Sequence, residues 1–314
     1  MAAWDVVIIG GGAAGLSAAA AAAGSGLSCV VIDRMGGGGE LMNLGPLQDL
    51  DGPHLDEPHL DEPHLDEPHL DEPQTGPSLT GPDLAARLLD DAVTAGAELE
   101  IAEVTGLMPA AGGWRVTTDS GTHDARAVII AVGLAPGTLG IDGEDRYEAR
   151  GLSHCAACDG PLYRGDPVVV AGADRWAVEE ARELAATASR VTLVTQGAPA
   201  PAADGITVIA GRITALGGSP GLDSVTVQPA DGAAPKRLET LAVFIQTGRR
   251  PAVGFAPADL SRDADGRLVT GDAQQCSLPG LFAAGDARSG AERTLRFAME
   301  DGRRAAVPLG KCAE

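Results

Sequence analysis

The chain has 314 residues, 44% of them hydrophobic and 3% aromatic, and carries a formal net charge of −21. That size can bury a full core and fits two domains better than one. A field of this sign repels phosphates, which argues against nucleic acid and anionic membrane surfaces as partners. The N-terminal run WDVVIIGGGAAGLSAAAAAAG has no basic n-region, carries Asp5 and a glycine triplet, and is too weakly hydrophobic for a membrane span. It reads as a strand entering a glycine turn, in a chain whose default location is the cytoplasm.

DVVIIG and SCVVID flank an alanine-rich helix from Ala13 to about Ala23, a βαβ unit. Gly10, Gly12 and Gly15 stand in G-x-G-x-x-G spacing directly after the first strand: Gly10 permits the tight turn, Gly12 lets a pyrophosphate approach the backbone, and Gly15 packs helix on strand. Asp33 ends the second strand, where a carboxylate binds ribose hydroxyls. In this context the turn predicts a dinucleotide site.

From Pro53 to Pro73 four tandem HLDEP copies hold four of the six histidines and eight acidic residues. Proline at every fifth position forbids helix and sheet, so an extended, solvated loop is expected; weak metal binding by His54, His59, His64 and His69 is the alternative, and no metal site is assigned. GPDLAARLLDDAVTAGAELE then predicts a helix with its apolar face at Leu84, Leu88, Leu89 and Val93, followed by a strand. Further strands are read at Trp114–Thr118 and Ala127–Ala131.

Five cysteines, Cys29, Cys155, Cys158, Cys276 and Cys312, are few and odd in number for a disulfide framework. Cys155 and Cys158 in SHCAACDG form a C-x-x-C pair, and the other three supply no second pair to complete a zinc site. A redox dithiol is the better reading, since two intervening residues let the sulfurs meet. A second βαβ unit starts at Pro167–Ala171, runs through a helix from about Trp176 to Thr187 and returns at Arg190–Thr195. The strand AVFIQTG and the tail LPGLFAAGDARSG are read as completing the first domain.

At this point the sequence resembles the low-molecular-weight thioredoxin reductase family. The likeness runs through the N-terminal glycine turn, GGELMNLGPLQDL where that family has a Gly-Gly-Gln-Leu loop, IIAVG for its Ala-Thr-Gly, the C-A-A-C-D-G block with YRG following, AVEEA, and LFAAGDAR. The resemblance implies two Rossmann-like doubly wound α/β domains: an FAD domain at 1–138 and 244–314, interrupted by the 53–73 repeat, and an NADPH-domain-like unit at 139–243 carrying the dithiol. It implies FAD as cofactor, Cys155 and Cys158 as the redox pair, Asp159 as the proton-transfer group, and a homodimer. It places Ala13, Ala14, Arg34, Gly39, Glu40, Leu41, Asp49, Val104, Ala131 and Gly133 at the FAD site beside Gly10, Gly12, Gly15 and Asp33. Gly285 and Asp286 would meet its ribityl and pyrophosphate part, and Arg293, Thr294 and Leu295 the pyrimidine edge. Val132 stands where the family has threonine, and Asp49 where it has asparagine.

The second nucleotide turn departs from the pattern. Where the family has Gly-x-Gly-x-x-Ala, this chain has Gly172, Ala173, Asp174, Arg175, Trp176 and Ala177. Asp174 blocks backbone approach and sets a carboxylate against the pyrophosphate; at about 4 Å that repulsion is about 1 kcal/mol in water and about 4 at an effective dielectric near 20. Where the family reads the 2′-phosphate with His-Arg-Arg-x-x-x-Arg, those places hold Thr195, Gln196, Gly197 and Pro201. Each lost charged hydrogen bond is worth about 1.5–3 kcal/mol, unless Arg175, Arg249 or Arg250 compensates. The expectation is an FAD-dependent oxidase that does not use NADPH. It would turn a dithiol, in a small molecule or a thioredoxin-like protein, into a disulfide and pass the electrons to oxygen as hydrogen peroxide. A thioredoxin reductase using NADPH, NADH or another donor is the alternative, and a flavin-binding sensor without turnover the third reading.

Overall fold

The computed structural model describes residues 4–44, 47, 79–203 and 205–310. The HLDEP repeat, Asp49 and Cys312 lie outside the described residues. The chain divides into two units, 1–134 with 250–314, and 135–249.

In the first unit β1 (Trp4–Ile9), β2 (Cys29–Asp33) and β3 (Glu98–Ile101) are parallel, in the order β3-β2-β1. β1 then pairs in parallel with β6 (Thr122–Ile130), which begins before the expected start at Ala127. Besides β1, β6 has two further partners along its length. Its first half pairs antiparallel with β5 (Gly113–Thr118), itself paired with β4 (Val104–Ala110), and its second half pairs in parallel with Leu281–Ala283. Alternate residues of β1 face opposite cores: Val6 and Ile8 join α1 (Ala13–Gly24), whereas Val7 and Ile9 join Val30, Trp114 and Leu281.

α1 is apolar nearly all round because α2 (Gly81–Thr94) and the C-terminal helix Leu295–Gly310 both lie against it. Its alanines let the backbones approach closely. A Cβ placed on Gly302 of the C-terminal helix would run into the Ala14 carbonyl. α2 starts from a reciprocal cap, in which the Asp83 backbone N–H donates to Thr80 Oγ1 and the Thr80 N–H to Asp83 Oδ2. Its buried face is Gly81, Leu84, Ala85, Leu88 and Ala92, which corrects the expected one: Leu89 is at the margin and Val93 is 52% exposed. Small alanines at the i+4 positions fit beneath the alanine-rich α1, and the larger Leu89 and Val93 are turned out.

The second unit contains β7 (Ala135–Pro136), β8 (Leu152–Ser153), α3 (Ala156–Asp159), β9 (Pro167–Ala171), α4 (Arg175–Ala185) and β10 (Arg190–Val194). β11 (Thr207–Ile209) follows, then an antiparallel sheet of β12 (Gly211–Gly217), β13 (Ser224–Pro229) and β14 (Lys236–Glu239), and β15 (Ala242–Ile245). The main sheet has the order β11-β10-β9-β15-β8 and is parallel throughout. PVVVA and AVFI are continuous apolar runs because both faces of such a sheet are covered. This corrects the expectation that AVFIQTG completes the first domain. Ala242–Ile245 pairs with Val168–Ala171, and the fully buried Phe244 packs with Val168 and Leu184.

Among the described residues no helix is long and apolar enough to cross a membrane. Gly302→Ala should lower stability by about 1–3 kcal/mol through overpacking of α1 against the C-terminal helix, read as a lower urea midpoint with an unchanged slope.

Candidate active site

Gly10 adopts φ +101°, which favours glycine, and a Cβ there would press on the backbone of Ala131 and Val132. A Cβ on Gly15 would strike the Gly10 carbonyl, so helix and strand pack at backbone distance. On Gly12 it would meet nothing within 4 Å. Open space therefore stands before the N-terminus of α1, with Ala13 and Ala14 in its first turn and their N–H groups facing it. A pyrophosphate fits this cradle.

Asp33 holds the loops around the cradle. Its Oδ2 accepts from the Gly11 N–H at 2.8 Å, and its Oδ1 from Met35 N at 2.8 Å and Gly37 N at 3.1 Å. A carboxylate has about four acceptor positions, so three backbone bonds leave room for one ribose hydroxyl. Gly36, Gly37, Gly38 and Gly39 all have positive φ, between +52° and +102°, and Gly38 N donates to Gly11 O. The glycine run Gly36–Gly39 is the sequence signal of this second loop. Arg34 and Glu40 on it are exposed, and Leu41 is buried in the core beneath.

Gly285, at φ +67°, sits over Ala14, and its N–H donates to Asp301 Oδ2 at 2.8 Å. Asp301 is 1% exposed and takes a bidentate Arg288 at 2.6 and 2.7 Å, with Gln274 Nε2 on the same carboxylate. Sequence reasoning missed this hub, because a single aspartate in a helix gives no sign of burial. Asp286 Oδ2 lies 3.5 Å from Arg293 Nε; burial lowers the Arg293 pKa, opposed by nearby Glu40. Thr294 accepts from Phe297 N at the start of the C-terminal helix, and Leu295 is buried. Gly133, at φ +60°, leaves open space beside Ala131. Val104 heads β4 and packs on the core opposite α1.

In the second unit Cys155 and Cys158 form a disulfide with a Cα–Cα distance of 5.3 Å. Cys155 precedes α3 and is partly exposed; Cys158 is exposed. Asp159 Oδ2 accepts from Ser153 Oγ at 2.7 Å, and Ser153 Oγ accepts from Cys155 N at 3.2 Å, so aspartate and disulfide share one small network. His154 Nε2 lies 3.5 Å from Glu148 Oε1. Burial pushes the thiols of Cys29 and Cys276 up to about 11 and about 12, and both are free and buried. They are unreactive at neutral pH.

Asp174 is the N-cap of α4: its Oδ1 accepts from the Ala177 N–H at 2.9 Å. Sequence reasoning saw the lost glycine and missed the cap, although aspartate before a helix is a cap signal. Arg175 stacks over Trp176 at 5.0 Å. After β10, Thr195 is buried, with its Oγ1 accepting from Gly211 N, and Gln196 has φ +54°. The Arg212 guanidinium stands where a side chain on Gly197 would project.

A glycine cradle on one doubly wound unit and a C-x-x-C disulfide on another define the two-unit dinucleotide-dependent disulfide oxidoreductases. The chain belongs to the pyridine nucleotide-disulphide oxidoreductase family, whose profile matches residues 4–302. It is 33% identical over 233 residues to a thioredoxin reductase of Treponema pallidum, covering 71% of this chain and 76% of that protein. Thioredoxin reductase structures from T. acidophilum (28% identity, TM-score 0.68, 100% and 99% of the two chains) and Lactococcus lactis (26%, 0.70, 98% and 98%) share its fold. The chain is thus a thioredoxin reductase-like oxidoreductase acting on disulfides, in a family of FAD-binding flavoproteins. Asp301→Asn should leave Arg288 without its buried counter-charge, cost about 3 kcal/mol or more, and lower the flavin-to-protein ratio of the purified enzyme.

Proposed function

We propose that this enzyme oxidises a dithiol to a disulfide through Cys155 and Cys158, without NADPH and with oxygen as the final acceptor. The reading rests on Asp174. Its carboxylate already caps α4, and a dinucleotide at this turn must displace that cap while facing its charge. The presence of Thr195, Gln196, Gly197 and Pro201 where the resembled family has the histidine and three arginines of its 2′-phosphate site supports the same conclusion.

A substrate thiolate attacks the Cys155–Cys158 disulfide and forms a mixed disulfide; the second substrate thiol resolves it, leaving an oxidised substrate and two enzyme thiols. Asp159, tied to Ser153, moves the proton released at the cysteine pair. FAD, when bound, supplies a two-electron relay from the dithiol to oxygen, which becomes hydrogen peroxide. Gly10, Gly12, Ala13, Ala14, Gly15, Asp33, Gly39, Gly133, Gly285 and Asp286 would hold it. We take the substrate to be a small dithiol or a thioredoxin-like protein, and the working enzyme to be a cytoplasmic homodimer.

The runner-up is a reductase using a nicotinamide donor, and Arg212 is the observation that favours it, as a cation at the end of β10. Anaerobic titration of the yellow protein separates the two. A small dithiol should bleach the flavin absorbance, air should restore it with release of peroxide, and NADPH and NADH should leave it unchanged; prompt bleaching by NADPH overturns the oxidase reading. Cys158→Ser should abolish bleaching by dithiol. Asp174→Gly should tighten NADPH binding about fivefold or more by removing the repulsion, at a stability cost of a few tenths of a kcal/mol.

A further inference from the structure

Glu180, on α4, is a largely buried carboxylate to which the reaction above gives no task. Its Oε1 accepts from the backbone N–H of Ala156 at 3.3 Å, immediately after Cys155. Its Oε2 is buried and makes no hydrogen bond of its own among the described residues. On the other side of Cys155, Gln246 reaches from the end of β15, and its Nε2 donates to the His154 carbonyl at 3.3 Å. Cys155 is therefore gripped by its two neighbours' backbones, one held from a helix and one from the sheet.

Burial raises the Glu180 carboxyl above the usual carboxylate range, opposed by the Ala156 N–H and the Gln246 amide, with Glu183 raising it further and Arg249 lowering it. The other charged groups at this turn are Asp159, bonded to Ser153, and the His154–Glu148 pair. The Ala156 N–H is taken by Glu180, and the backbone donor that reaches Cys155 Sγ at the head of α3 is Cys158 N, at 3.2 Å. A like charge close by also disfavours the thiolate.

We propose that Glu180 is a positioning residue of the redox pair: with Gln246 it clamps the backbone on both sides of Cys155, and its charge keeps the reduced Cys155 predominantly a thiol. The proposal rests on the reading of Cys155 and Cys158 as the redox pair and is independent of the electron acceptor.

The test reads thiol acidity rather than turnover. The FAD-bound protein is reduced anaerobically with dithiothreitol, freed of reductant, and alkylated with iodoacetamide; the rate at Cys155 is followed by peptide mass spectrometry as a function of pH. Glu180→Gln keeps an oxygen for Ala156 N–H and removes the charge, and should raise the Cys155 rate at pH 6 about three- to tenfold. Glu183→Gln removes an equal charge from the exposed side of the same helix and should change the rate less than about twofold. Gln246→Glu adds a carboxylate at the opposite anchor and should slow it, which keeps the proposal testable should Glu180→Gln not fold. Equal rates in Glu180→Gln and wild type with the flavin spectrum retained, an equal gain in Glu183→Gln, or a faster Gln246→Glu would overturn the proposal. A disulfide that dithiothreitol does not open overturns the redox reading itself.

Discussion

A helix that starts at the carboxyl end of a parallel strand presents N–H donors without partners inside the helix, and something must satisfy them. This chain builds that junction twice and meets the requirement in opposite ways. At α1 the N-cap is Gly12, with no side-chain bond and open space before it. At α4 the N-cap is Asp174, which supplies its own carboxylate. One turn is left open and the other is capped by the chain's own carboxylate.

The rest of the first unit keeps α1 in place for that purpose. Gly302 brings the C-terminal helix against it at backbone distance, and α2 packs on it as well. Asp301 joins the C-terminal helix to Gly285 through one buried carboxylate. A buried charge of this kind is tolerated because every oxygen has a partner, and those bonds hold Gly285 over Ala14. Asp33 performs the same task on the other side, with three backbone donors from the loops around Gly11 and Gly37.

In the second unit the capped turn and the cysteine turn are linked through α4. The helix begins at the Asp174 cap and carries Glu180 one and a half turns later, in contact with Ala156. A helix whose N-terminus is capped by its own aspartate also holds the backbone beside the cysteine pair.

Local spacing and residue type were enough to reveal the glycine turn, the C-x-x-C pair, both βαβ units and the anomaly at Asp174, because each is a pattern within a short stretch of chain. The buried face of α2 was misjudged at Val93, since periodicity cannot tell whether alanine or valine fits against an alanine-rich neighbour. AVFIQTG was assigned to the wrong unit, because a continuous apolar run says that a strand is buried but not which strand it pairs with. Asp301, Glu180 and the cap at Asp174 owe their meaning to partners 16, 24 and 3 residues away. Sequence by itself determined the two βαβ units, the glycine turn and the cysteine pair; the tertiary structure alone decided which buried carboxylates meet which backbone N–H groups, because burial and pairing are properties of the packed chain and not of any one stretch of it.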